Sequence, residues 1–144
     1  MAYVKIWVHL VWTTKNRERT LSRPIRNVLF THIRENAKSK GIYLDFIGGH
    51  LEHVHCLISL DVNQTISKVV QLMKGEAAFW FNRNLRENKK LQWQDEYFAV
   101  SVSDSKVDLV RNYIKNQEEH HKKKSFQEEY MEFITKHGFE KFSG

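Results

Sequence analysis

The chain has 144 residues, 41% hydrophobic and 28% charged, with one proline and six glycines. That size predicts a single compact domain over residues 1–144, and the composition excludes collagen-like and low-complexity architectures. A net charge of +6 and a pI of about 9.4 favour polyanionic partners, while Cys56 alone excludes an internal disulfide and suits a reducing, cytoplasmic setting.

Residues 4–14 read as a strand, with Val4, Ile6, Val8, Leu10 and Trp12 on one face and Lys5, Trp7, His9, Val11 and Thr13 on the other. Both faces are largely apolar, so a central strand covered on both sides is expected. The run is broken by Lys5 and His9 and lacks a small-residue cleavage site, which argues against a signal peptide. No apolar run approaches the roughly 20 residues that cross a bilayer, so no membrane association is expected. A basic connection, "KNRERTLSRPIR", leads into a helix from Ser22 to Lys40, with Ser22 as N-cap, Pro24 in the first turn and Gly41 as the stop. Ile25, Leu29, Ile33 and Ala37, with Val28, form its apolar stripe.

Residues 42–50 and 53–60 read as two further strands, paired antiparallel around Gly48-Gly49. Residues 65–84 form a second helix carrying Ile66, Val69, Val70, Met73 and Ala77, with Gly75 inside it. A polar loop, "NLRENKKLQWQD", precedes a fourth strand at 97–103. A third helix runs from Ser105 to about Lys122, opened by a Ser105/Asp108 capping box, and a fourth starts at the "SFQE" box and stops at Gly138. The order β-α-β-β-α-β-α-α predicts an α+β fold: a ferredoxin-like split βαβ with an antiparallel sheet, followed by C-terminal helices.

Within 53–60, His53 and His55 project from one face and Val54 from the other, because side chains alternate along a strand. Two adjacent imidazoles can hold a divalent metal, though the pattern also fits half-exposed histidines at a sheet edge. In "VRNYIKNQEEHH", Tyr113 and Gln117 lie at i and i+4 and share a helix face. A phenol can act as a covalent nucleophile and an amide oxygen as a hard neutral ligand; a half-buried tyrosine and a solvated amide are the plain alternatives. His120 and His121 could assist proton transfer or touch phosphate, with solvated residues of a basic helix end as the plainer reading; His9 reads as a core histidine, and His50 could support the pair from behind.

The segments "HLVWTTKNRERTL", "LEHVHCLISL", "ISKVVQLMKGEAAFWFN", "WQDEYFAVSVS" and "VRNYIKNQEEHH" together resemble the single-tyrosine transposases of the insertion sequence 200/605 type, within the HUH endonuclease superfamily. The family often has Pro-Asp before its first metal histidine, where this chain has Leu51-Glu52. The resemblance implies a catalytic Tyr113 on the C-terminal helices and a metal site of His53, His55 and Gln117 holding Mg²⁺ or Mn²⁺. Zn²⁺ would usually want a third His, Cys or carboxylate. The implied activity is cutting and rejoining single-stranded DNA at hairpin-bearing element ends through a 5′-phosphotyrosine, by a homodimer whose active sites are shared. The alternatives are a domesticated relative acting on repeated palindromes, a non-catalytic nucleic-acid-binding module of the same fold, and a metal-dependent hydrolase in which Tyr113 is only structural.

Overall fold

The computed structural model describes residues 2–85 and 90–137, apart from the side chains of Ile134 and His137. Within them the elements follow in the order β1 (Ile6–Thr14), α1 (Arg23–Ser39), β2 (Tyr43–Gly49), β3 (His53–Leu60), α2 (Ile66–Asn84), β4 (Trp93–Val102), α3 (Val107–Lys115), α4 (Gln117–His121) and α5 (Phe126–His137). The strands form one antiparallel sheet in the order β2-β3-β1-β4. This is the ferredoxin-like arrangement expected from the element order.

Strand alternation divides the molecule into two layers of different character. Val8, Leu10, Trp12, Val54, Cys56 and Ile58 face α1 and α2, meeting Leu29, Ile33, Ala37, Val69, Val70, Met73, Ala77 and Phe81 in the main core. The opposite face carries a smaller cluster of Trp7, Leu57, Val107 and Ile114, beside the histidines. β1 is central and buried from Trp7 to Trp12, as its two apolar faces predict. All four tryptophans pack in or against the two clusters.

Four expectations are corrected. Val28 is exposed, and the fourth buried residue of α1 is Arg26, whose Nη1 donates to Leu21 O at 2.7 Å and whose Nη2 pairs with Glu118. β4 begins at Trp93, inside the segment read as a loop; it is an edge strand, so the exposed Asp95 and Glu96 cost nothing. The helix read over 105–122 is broken. A 3-10 turn at Asp104–Lys106 precedes α3, and Asn116 (φ −95°, ψ 23°) separates α3 from α4. The Ser105/Asp108 box does not form: Ser105 Oγ meets Ser103 Oγ at 2.9 Å, and Asp108 accepts from Arg111. By contrast, Thr65 caps α2 and Ser125 accepts the Glu128 N–H at the start of α5. The predicted stop at Gly138 lies outside the described residues.

Two contacts fix α3 and α4 over the sheet. Arg111 donates to both carboxylate oxygens of Asp45 on β2, at 2.7 and 2.8 Å, and Arg23 and Arg26 of α1 both pair with Glu118 of α4. Gly48 lets α3 come down: a Cβ there would stand 2.6 Å from Ile114 O. A Cβ on Gly75, in contrast, would meet nothing within 4 Å, so this glycine is simply tolerated in α2.

The two glycines should therefore respond with opposite signs. Gly75→Ala should stabilise the fold by about 0.5–1 kcal/mol through helix propensity. Gly48→Ala should destabilise it by about 1–3 kcal/mol through overpacking. Urea unfolding of both variants checks this, and a Gly48→Ala variant as stable as the parent would contradict the close approach.

Candidate functional site

The β1–β3 pairing puts Thr13 opposite His53 and Val11 opposite His55, with His9 one diagonal step from His55. All three imidazoles therefore share the face that α3, α4 and α5 cover. His53 and His55 are fully buried, at 0% exposure, and Gln117 is at 1%. Buried imidazoles need polar partners, and these come from four different places in the chain.

His53 Nδ1 lies 2.7 Å from Glu52 Oε1, and its Nε2 lies 2.9 Å from Gln117 Oε1. His55 Nδ1 is 2.9 Å from His9 Nε2, and its Nε2 is 2.9 Å from Glu129 Oε1 on α5. The Gln117 amide donates to Tyr113 O at 3.3 Å, which turns its oxygen toward His53. Tyr113 is half-buried, with its ring 5.6 Å from His55, 6.1 Å from His9 and 5.2 Å from His120. The structure thus brings all four sequence-predicted residues, Tyr113, His53, His55 and Gln117, to one place.

The acidic residue before the first histidine is in contact with it. If Glu52 accepts the His53 Nδ1–H, the Nε2 lone pair is left facing Gln117 Oε1. Two lone pairs at 2.9 Å repel unless a proton or a cation lies between them. That donor chemistry fits a divalent ion.

Glu129 is the residue that sequence reading misses. Donor atoms of His53, His55 and Glu129 all lie within 4.8 Å of one another, close enough to share one ion. Glu129 Oε2 is buried without a hydrogen bond of good geometry, although His121 Nε2 stands 2.8 Å away and His120 Nε2 3.2 Å away. The case against Zn²⁺ rests on the want of a third His, Cys or carboxylate, and Glu129 supplies one. Nothing in the spacing of the "FQEEYMEF" segment marks Glu129 apart from Glu128 and Glu132.

The other histidines also differ from expectation. The His121 side chain is buried, with its ring 4.6 Å from His53 and stacked on His50 at 5.2 Å; it is not a solvated helix end. His9 is buried as expected, but its partner is a site histidine.

Burial sets the electrostatics. Desolvation pushes His55 down to about 4, against the pull of Glu129. It also lowers His50 and His120 and raises the Tyr113 phenol, which Glu129's charge raises further. Glu129 itself is driven well below the usual carboxylate range: burial opposes this, but the close approach of His121 and the hydrogen bond with His55 prevail. Glu52 is lowered in the same way, burial being outweighed by its bond to His53.

Comparison with known proteins bears on the family and the fold. The ISDra2 transposase TnpA of Deinococcus radiodurans is 28% identical over 116 residues, covering 76% of this chain and 81% of that protein. A crystal structure of a transposase candidate from Deinococcus radiodurans R1 superposes with a TM-score of 0.64 at 27% identity, covering 81% of this chain and 95% of the other. The REP-associated tyrosine transposase bound to a REP hairpin shares the fold, with a TM-score of 0.57 at 16% identity over 85% of this chain and 71% of that one. The sequence profile described as "Transposase IS200 like" matches residues 2–117, and the chain belongs to that transposase family.

Proposed function

We propose that this chain cuts and rejoins single-stranded DNA at hairpin-bearing ends, with Tyr113 as nucleophile. The observation that carries the proposal is the meeting of the Tyr113 ring, 5.6 Å from His55, with the Gln117 oxygen, 2.9 Å from His53. These groups come from elements more than fifty residues apart in the chain. The basic character of the protein and the hairpin seen with the REP-associated relative support a nucleic-acid substrate of this kind.

His53, His55 and Gln117 would hold Mg²⁺ or Mn²⁺, with Glu52 orienting His53 and His9 orienting His55. When bound, such an ion offsets the negative charge that builds on a phosphate during displacement. The chain's own residues do the rest. The Tyr113 oxygen attacks phosphorus in line, forming a 5′-phosphotyrosine while the P–O3′ bond breaks and a 3′-OH leaves. A 3′-OH from another strand end then attacks that phosphotyrosine, restoring the phenol and joining the strands, so no nucleotide cofactor is consumed. Burial raises the phenol above its ordinary value, so the reaction needs a group to take its proton, and His120, with its ring 5.2 Å from that of Tyr113, is the neighbour proposed for this.

The basic connection has partners within the chain. Arg23 and Arg26 pair with Glu118, Arg17 bonds Gln127, and Arg19 lies 3.8 Å from Glu52. Arg26 is buried, so exposed neighbours such as Lys15 are the better candidates for phosphate contacts.

A homodimer with exchanged helices would assemble the same groups from two copies, but the distances above are all within one chain. Mixing Tyr113→Phe protein with His55→Ala protein separates the cases. A self-contained site leaves the mixture without covalent adduct; recovered adduct would demonstrate exchange between subunits.

Tyr113→Phe should abolish the denaturation-resistant adduct with labelled hairpin DNA and leave hairpin binding within about twofold. Persistence of the adduct would remove Tyr113 from its role. Glu52→Ala should weaken Mn²⁺ binding by about 10–100-fold in a calorimetric titration, because His53 loses the group that fixes its tautomer. Unchanged affinity would separate Glu52 from the metal site.

A further inference from the structure

We infer that Glu129 is a stand-in for the substrate phosphate: α5 seats this carboxylate where a phosphate oxygen must come, and the helix has to leave before DNA can react. The inference rests on the site proposed above but concerns how it is reached.

Coverage is the first reason. His53 and His55 are at 0% exposure, so nothing the size of a phosphodiester touches them in this arrangement. Tyr113 of α3 and Gln117 and His121 of α4 close part of this face; α5 closes the rest, where Phe126 stacks on His53 at 4.4 Å, Glu129 meets His55 at 2.9 Å, and Phe133 packs on His9 at 5.6 Å. A permanent ligand on α5 would therefore keep the substrate out. Removing the cover removes Glu129 with it.

Charge is the second reason. Among the described residues of α5 are Glu128, Glu129 and Glu132, in a chain of net charge +6. Glu129 and Glu132 line a cleft of about 540 Å³ that also opens onto Tyr113, His9, Lys106 and Lys136. A single strand entering beside Tyr113 would pass these carboxylates as well as the two lysines. Glu132 is paired with Lys124, whereas Glu129 places its anionic oxygens among the histidines, as a phosphate would, and repels phosphate there.

Attachment is the third. α5 follows the segment matched by the family profile, which stops at residue 117, so the cover is outside the shared part. It is held to the sheet side by rings and a cation: Phe98 against Tyr130 at 5.2 Å, and Arg17 at 5.2 Å from both Phe126 and Tyr130. These contacts can be released without disturbing the main core, which lies on the other face of the sheet.

The test uses the full chain. In EDTA, anisotropy with a fluorescent single-stranded hairpin oligonucleotide should show Glu129→Gln binding at least about fivefold tighter than the parent, as one repelling charge is lost. With Mn²⁺, the same variant should form adduct faster than the parent. In parent protein, amide hydrogen exchange over residues 126–137 should accelerate when the oligonucleotide is added in EDTA, a readout that needs no variant to fold. Unchanged exchange in α5 on DNA binding would overturn the inference. So would a Glu129→Gln variant that loses adduct formation without binding DNA more tightly, since Glu129 would then be a fixed part of the reacting site. Because binding and exchange are read without metal, they stand apart from the adduct assay: a Tyr113→Phe variant that still forms adduct would defeat the proposed chemistry and leave the α5 result intact.

Discussion

A buried imidazole is tolerated only if its nitrogens find partners, and this demand organises one whole face of the sheet. His53 and His55 have four ring nitrogens, and each meets a polar atom from a different place: the preceding Glu52, His9 on β1, Gln117 on α4 and Glu129 on α5. Remove any one and a polar group is stranded at zero exposure. The helices above the sheet are therefore positioned by polar satisfaction more than by apolar burial. Among the described residues, the smaller apolar cluster on that face has four buried members, against eighteen in the main core.

The same arrangement explains why the site can be tightly built and still be opened. Arg111 with Asp45, and Glu118 with Arg23 and Arg26, fasten α3 and α4 to β2 and α1. Tyr113 and Gln117 thus ride on anchored elements, which suits groups that must hold a geometry. The helix carrying Glu129 is held by rings and by its interaction with the histidines themselves. What closes the site is also what the site holds.

The fold is legible in the sequence because its signals are local and periodic. The largely apolar runs of β1 and β3 and the apolar stripe of α2 announce themselves within ten or twenty residues. The start of β4 is hidden because an edge strand shows polar residues to water, and Asp95 and Glu96 look like loop. The break at Asn116 leaves no mark, since neither glycine nor proline stands there and the interruption answers the needs of Gln117 and Glu118 on its far side. For the site, His53, His55, Tyr113 and Gln117 are readable from spacing and family resemblance. Glu129 and His121 are not. Their importance comes from tertiary approach alone, and along the chain Glu129 is one of three similar carboxylates while His121 resembles a helix-end cation.

Cys56 sits between His55 and Leu57, yet its side chain is turned to the α1–α2 core and its thiol is pushed up by burial. The strand's two-residue repeat therefore acts as a chemical sorting device. It gives the reactive face nitrogen and oxygen donors and confines the chain's single cysteine sulfur to the other. A soft, thiophilic ion such as Cu⁺ or Cd²⁺ finds no thiolate among these histidines, and oxidants that attack thiolates find none beside Tyr113. One register slip of β3 would exchange the two faces and hand the centre a sulfur in place of an imidazole.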